Sequence, residues 1–148
     1  MNLTETPDFV TWPETHYVFV EKTGSIPTIA PLTWQELHRY LPQLEVSVTG
    51  FLSLYKMNPQ VYRAGAAVAA EPAHLPGGLR YERFPGGRYA RFSLTGPHAD
   101  LPRATRRVSE IVMEGKLKPT GGYHIERYVN YRNTPEDRPL TEILFPVV

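Results

Sequence analysis

The residues of this chain that could do chemistry are carboxylates set among apolar and aromatic side chains. Glu142 lies in the stretch 140–147, where every near neighbour except Thr141 is apolar. A carboxylate on an apolar strand face must be ion-paired or be poised for a ligand, because an unpaired buried charge is costly. An arginine such as Arg127 or Arg80 could provide the pairing, and the sequence leaves both interpretations open.

A second carboxylate, Glu126, lies in a stretch that the residue types predict to be a strand. Strand alternation places His124, Glu126, Tyr128 and Asn130 on one face. This polar and aromatic pattern favours a solvated sheet surface over a site.

Aromatic rings are numerous enough to surround such a carboxylate. Ring faces attract a cation and a carboxylate neutralises it, so the combination suits a lipophilic cation. The other interpretation is that many of these rings belong to the core. The candidate rings are Trp34, Tyr40, Tyr55, Tyr62, Tyr89, Tyr123 and Tyr128.

The sequence offers no other obvious chemistry. It has no cysteine, which excludes thiolate ligands and nucleophiles, and it has no phosphate loop or Gly-x-Ser-x-Gly elbow. We therefore expect no metal and no cofactor, since no two histidines have ligand spacing. The histidines are His16, His38, His74, His98 and His124.

Composition narrows the class of protein. The formal net charge is +1, from 16 basic and 15 acidic side chains, so no basic excess for binding nucleic acid is present. No apolar run is long enough to span a membrane, and the polar start of the chain lacks the apolar core of a signal peptide. We expect a cytoplasmic protein that binds neither membranes nor, directly, nucleic acid.

Landmarks of the first half recur 72 residues later. Residues 12–13 match 84–85, Tyr17 matches Tyr89, 23–24 match 95–96, and 50–51 match 122–123. We expect a single domain, 1–148, that contains two repeats, about 9–70 and 81–147. The repeats would be related by a pseudo-two-fold axis, with a cleft between them.

Each half reads as strand, helix, strand, strand, which predicts an α+β fold whose two helices cover one face of an antiparallel sheet. A Thr33–Glu36 capping box would open the first helix and Pro42 would limit it. Asp100 would cap the second helix and Gly115 would stop it. The predicted strands are 16–22, 46–56, 61–70, 79–94 (broken at 85–87), 123–131 and 141–147, with a loop at 133–139.

The chain resembles the GyrI-like effector-binding domain, which also ends AraC-type and MerR-type regulators. The resemblance is carried by the stretches 87–92, 95–97, 122–123, 126–130 and, most specifically, 141–147. It implies paired strand-helix-strand-strand modules that bind hydrophobic, often cationic, molecules between their helices. It also maps Glu142 onto the pocket carboxylate, with Trp34 and Tyr40 compensating for a second helix, 105–113, that lacks Tyr and Trp.

Three functions follow from this resemblance. The first is a standalone protein that senses or sequesters small hydrophobic or cationic molecules, since no helix-turn-helix precedes the first strand expected near residue 9. The second is a hydrolase that uses Glu142 with Tyr123 or Tyr128. The third is an interaction protein of the gyrase-inhibitor type, whose partner would be gyrase or a separate regulator. Binding is favoured over catalysis.

Overall fold

The protein has an α+β fold, as the sequence predicts. The computed structural model describes residues 1–129 and 139–148, which contain nine strands and two α-helices. In chain order these are β1 (Asn2–Leu3), β2 (Asp8–Trp12), β3 (Thr15–Thr23), α1 (Ile26–Tyr40), β4 (Val48–Met57), β5 (Gln60–Val68), β6 (Arg80–Phe84), β7 (Gly87–Thr95), α2 (Leu101–Glu114), β8 (His124–Tyr128) and β9 (Leu140–Pro146).

The elements form two compact units. One, which we call the continuous unit, is Pro13–Gly86; the other, the split unit, combines Met1–Trp12 with Gly87–Val148. Each unit has its own antiparallel sheet, its own helix and its own hydrophobic core.

The sheet of the continuous unit has the strand order β4-β5-β3-β6. Small and β-branched residues on one face of β3 and β5 let α1 pack closely against them. Leu37 of α1 is fully buried in this core, and Trp34 packs against its edge, as their helical spacing predicts. The buried members are Val18, Val20, Leu37, Tyr55, Tyr62, Ala64, Val68 and Leu79.

The sheet of the split unit has β1 and β2 on one side of β7, followed by β9 and β8. Helix α2 covers the face that carries Phe92 of β7 and Ile143 of β9. Val108 is buried in this core and Ile111 packs against it, which also agrees with the predicted stripe. The predicted strand 123–131 is observed as far as Tyr128; its end from residue 130, and most of the predicted loop 133–139, lie outside the described residues.

Helix α1 begins earlier than the sequence patterns predict. The capping box is wrong, because Thr33 lies inside the helix and its hydroxyl donates to the carbonyl of Ile29 at 2.7 Å. The helix starts at Ile26, whose backbone N–H donates to the side chain of Gln60 at 3.0 Å. A partner on β5 thus satisfies a terminal donor that the local sequence cannot, and α1 tolerates Pro31 in its second turn.

The ends of α2 are close to those predicted. Asp100 occupies the N-cap position, although its carboxylate pairs with Arg103 at 2.9 Å rather than capping the helix. Gly115 is the C-cap with a right-handed backbone, and the left-handed conformation falls on Lys116. A lysine at φ 57° is strained relative to glycine, so the chain stops this helix less economically than the sequence suggests.

The outer strands pair across the boundary of the predicted repeats. Strand β2 runs directly into β3 but pairs with β7, and β6 runs directly into β7 but pairs with β3. Bounds of β2 and β6, and of β3 and β7, differ by 72 residues, whereas β5 and β9 begin 80 apart. The pseudo-two-fold relation itself stays a prediction.

We expect Leu37→Ala to lower the free energy of unfolding by about 2–5 kcal/mol, because it leaves a cavity beneath α1. Leu32→Ala on the same helix is the matched control, since that side chain is 53% exposed. Urea denaturation of the three proteins measures the difference. Equal losses from both substitutions would mean that α1 does not bury this face.

Candidate functional site

Glu126 faces helix α2 from the middle of β8. It lies opposite Ile143 of β9, whose side chain is in the core under α2, and directly paired residues share a face. Thr105 of α2 makes a side-chain hydrogen bond to the Glu126 carboxylate. The predicted solvated surface is therefore wrong: this face of β8 is covered in part by a helix, and Glu126 is half-buried.

Burial dominates the electrostatics of this carboxyl group. Desolvation raises the pKa of Glu126 from 4.5 to about 7, while hydrogen bonds from Tyr128, at 3.1 Å, and Thr105 act in the opposite direction. Within residues 1–129 and 139–148, no lysine, arginine or histidine forms a salt bridge with it. Near neutral pH the group is thus poised between its charged and neutral forms.

The surroundings of Glu126 are aromatic and polar but uncharged by strong bases. The ring of exposed His98 meets Tyr128 edge-on at 5.5 Å, and His124 packs edge-on against Phe145 at 4.5 Å. Burial lowers the pKa of His124 to about 4, so this imidazole is neutral at pH 7. Thr141 lies opposite Tyr128, and its buried hydroxyl has no hydrogen-bond partner in the part of the chain that is described.

Glu142 lies on the other face of the same sheet, away from α2. Its carboxylate contacts Arg127 of β8 at 3.0 Å and Arg91 of β7 at 3.7 Å, and its side chain is 14% exposed. Arg91 also contacts Asp8 at 3.3 Å. Glu142 therefore has the arginine partner that the sequence allowed, Arg127, and a second one that the sequence did not indicate.

The remaining predicted site rings divide between core and surface. Tyr55 and Tyr89 are core residues, 4% and 3% exposed, and the Tyr89 hydroxyl donates to the carbonyl of half-buried Tyr123 at 2.9 Å. Tyr40 is half-buried at the edge of the core of the continuous unit, and its ring lies against the backbone of Gly77. Among the predicted tyrosines, Tyr128 is the one observed to contact Glu126.

Trp34 belongs to a group of three half-buried rings in the continuous unit, which we call the aromatic triad. Its centroid lies 5.8 Å from that of His38 and 6.4 Å from that of Phe51, and the last two are 6.1 Å apart. The indole N–H donates to the Tyr62 hydroxyl at 2.7 Å, which in turn lies 2.7 Å from the hydroxyl of Ser53. These hydrogen bonds fix the orientation of the Trp34 ring.

His38 and Phe51 were not among the predicted site residues. The i, i+4 spacing of Trp34 and His38 places both on one side of α1, which was the available signal. Phe51 joins them through the placement of β4 beside the helix, which no local pattern encodes.

The described residues hold no group of three or more histidine and acidic side chains that could bind a metal ion. Within the same residues, no helix is long and apolar enough to cross a membrane.

The chain belongs to the family of GyrI-like small molecule binding domains, whose model matches residues 5–148. It is therefore a small-molecule-binding domain. A search of curated proteins found no match.

Solved structures share the fold at low sequence identity. The C-terminal domain of EcmrR is 17% identical, with a TM-score of 0.74, over 100% of this chain and 99% of that one. In an EcmrR–DNA complex the identity is 16% and the TM-score 0.77, over 96% of this chain and 57% of the longer EcmrR chain. SAV2435 bound to tetraphenylphosphonium is 14% identical, with a TM-score of 0.74, over 96% and 93%. A hydrolase from Listeria innocua is 12% identical, with a TM-score of 0.64, over 97% and 92%.

The raised pKa of Glu126 predicts a pH-dependent cost to stability. In the unfolded chain the carboxyl group ionises near pH 4.5, but in the folded protein it ionises only near pH 7. Its contribution is therefore fully present below pH 4.5 and is lost as the pH rises through 7. Relative to Glu126→Gln, the wild type should lose up to about 3 kcal/mol of unfolding free energy between pH 5 and pH 8.

Chemical denaturation of both proteins at several pH values measures this difference. Titrations of the histidines are common to both proteins and cancel. A difference between wild type and Glu126→Gln that does not change with pH would mean that the folded protein does not desolvate this carboxyl group.

Proposed function

We propose that the protein binds lipophilic cations, which it senses or sequesters, and that Glu126 is the carboxylate that meets their charge. The observation that carries the proposal is the state of this group: half-buried, desolvated, facing α2 and without a basic partner among the described residues. The remaining steps follow from what such a group requires.

A desolvated carboxylate is stabilised by whatever supplies a positive charge at short range. Elsewhere in this chain, buried charges receive that charge from the protein: Arg63 contacts both Glu21, at 2.8 Å, and Glu82, at 2.9 Å. Glu126 receives two neutral hydrogen bonds instead, from Tyr128 and Thr105. A bound cation would complete the site.

The chemistry of the neighbours indicates a cation with apolar substituents. Tyr128 and His98 present ring surfaces beside the carboxylate, and the buried cores lie behind it. Ring faces and edges bind apolar groups of a ligand while the carboxylate binds the charge. SAV2435, which has the same fold, has been solved with tetraphenylphosphonium, a cation of this type.

The aromatic triad of Trp34, His38 and Phe51 is our candidate for a second ligand-contacting surface, in the continuous unit. Its rings are half-buried, and hydrogen bonds hold the indole in place, so little entropy is lost when a ligand stacks on it. The expected location of the ligand between the repeats, and catalysis by the same carboxyl group, stay predictions.

The decisive experiment compares two carboxylates on opposite faces of one sheet. We expect Glu126→Gln to weaken tetraphenylphosphonium binding roughly ten- to a hundred-fold, because the amide keeps the shape and removes the charge. Glu142→Gln is the matched control, and it should change the affinity by less than about threefold because its charge is balanced by two arginines. Calorimetric titration gives both affinities.

Tetraphenylborate, which has the same shape and the opposite charge, completes the design. It should bind wild type more weakly than the cation does, and Glu126→Gln should reduce this preference. If Glu142→Gln alone abolished cation binding, the charge would be met on the other face of the sheet, as the family resemblance implies, and our assignment of Glu126 would be wrong.

Tryptophan fluorescence tests the triad separately. We expect tetraphenylphosphonium to change the emission of Trp34, since the ligand would replace solvent beside its ring. Trp12→Phe should leave this response in place and Trp34→Phe should remove it. A response that follows Trp12 would contradict a role for the triad.

A further inference from the structure

We infer that Glu126 exchanges a proton for a cation, so that each cation bound releases a proton from this carboxyl group. The inference rests on the function proposed above and concerns how the same site is regulated. It makes occupancy of the site depend on pH within the physiological range, without any change of fold.

The geometry provides for both states of the group. Tyr128 and Thr105 each place a hydroxyl on the carboxyl group, and a hydroxyl can donate to a carboxylate or accept from a carboxylic acid. The unpartnered hydroxyl of Thr141, diagonally across on β9, adds a third such group on this face. An arginine in any of these places would fix the charged state; hydroxyls do not.

Titratable groups that face Glu126 are few. On β8 itself they are His124 and Tyr128, and before α2 there is His98, which touches Tyr128 and not the carboxylate. Thr105 on α2 carries no charge, and neither do the residues of β9 on this face, Thr141, Ile143 and Phe145. The pKa of His124 lies far below neutrality, at about 4, so it stays neutral while Glu126 titrates.

The proton balance is simple. The neutral acid loses its O–H proton to solvent, the cation enters, and the resulting carboxylate forms an ion pair with it. Since the pKa of Glu126 is about 7, the free site is close to half protonated at pH 7. A permanent cation cannot supply or accept a proton, so every proton released must come from the protein.

The predicted dependence has a definite direction. Binding at pH 8 encounters a site that is already charged, whereas binding at pH 6 must first expel a proton. Affinity for a permanent cation should therefore be about tenfold weaker at pH 6 than at pH 8, and flat above pH 8.

The test is calorimetric titration of the full chain with tetraphenylphosphonium at pH 6, 7 and 9, each in two buffers with different ionisation enthalpies. The slope of the observed enthalpy against the buffer enthalpy counts the protons released. We expect nearly one at pH 6, about half at pH 7 and none at pH 9. Glu126→Gln should bind more weakly and release none, and Glu142→Gln should release as many as wild type.

The outcomes separate this inference from the function on which it rests. If tetraphenylphosphonium binds, and Glu126→Gln weakens it, but no proton is released at any pH, the exchange is refuted and the binding function stands. If Glu126→Gln still releases the proton, another group is its source and the exchange is again refuted. If wild type and Glu126→Gln bind the cation equally well, the proposed function has failed as well.

Discussion

Antiparallel pairing of the outer strands is the interaction on which both compact units depend. Strand β2 pairs with β7 from Asp8–Arg91 to Trp12–Gly87, and β6 pairs with β3 from Phe19–Arg80 to Thr15–Phe84. In each case a strand pairs with one from the other half of the sequence. The N-terminal segment is therefore an integral part of the unit that carries Glu126: Thr4 hydrogen-bonds with Ser93, and Glu5 forms a two-point contact with Arg107 of α2 at 2.9 and 3.2 Å.

Within that unit, the two faces of one sheet treat negative charge in opposite ways. The face away from α2 alternates Asp8, Arg91, Glu142 and Arg127 across four strands, so each acid contacts an arginine. The face toward α2 buries Glu126 beside hydroxyls and rings. The first arrangement balances its charges internally and needs no ligand, whereas the second leaves a charge that an incoming molecule can balance. This contrast is the physical basis for assigning the site to Glu126.

Much of the fold follows from the sequence because its signals are local. Strands rich in β-branched and aromatic residues were predicted within a few residues, and Leu37 and Val108 were correctly assigned to the core. The start of α1 was missed because the partner of its first N–H, Gln60, is distant in sequence. The candidate carboxylate was undervalued for a similar reason: alternation shows that Glu126 shares a face with Tyr128, but not that α2 covers that face. The pairing of Glu142 with Arg127 was foreseen as an option, because an acid on an apolar strand has few alternatives.

Gly77 shows that a segment with the composition of a linker can be as constrained as a core. Its backbone has φ +54°, and a Cβ built there would lie 2.2 Å from the ring of Tyr40. Any side chain would have to push that ring away from the end of α1, in addition to adopting a left-handed backbone. Its neighbour Gly78 has an ordinary φ and free space around it, with the nearest foreign atom 3.9 Å away. Two adjacent glycines that look interchangeable in the sequence should thus tolerate mutation very differently, and a library randomised across the pair would retain glycine at the first position only.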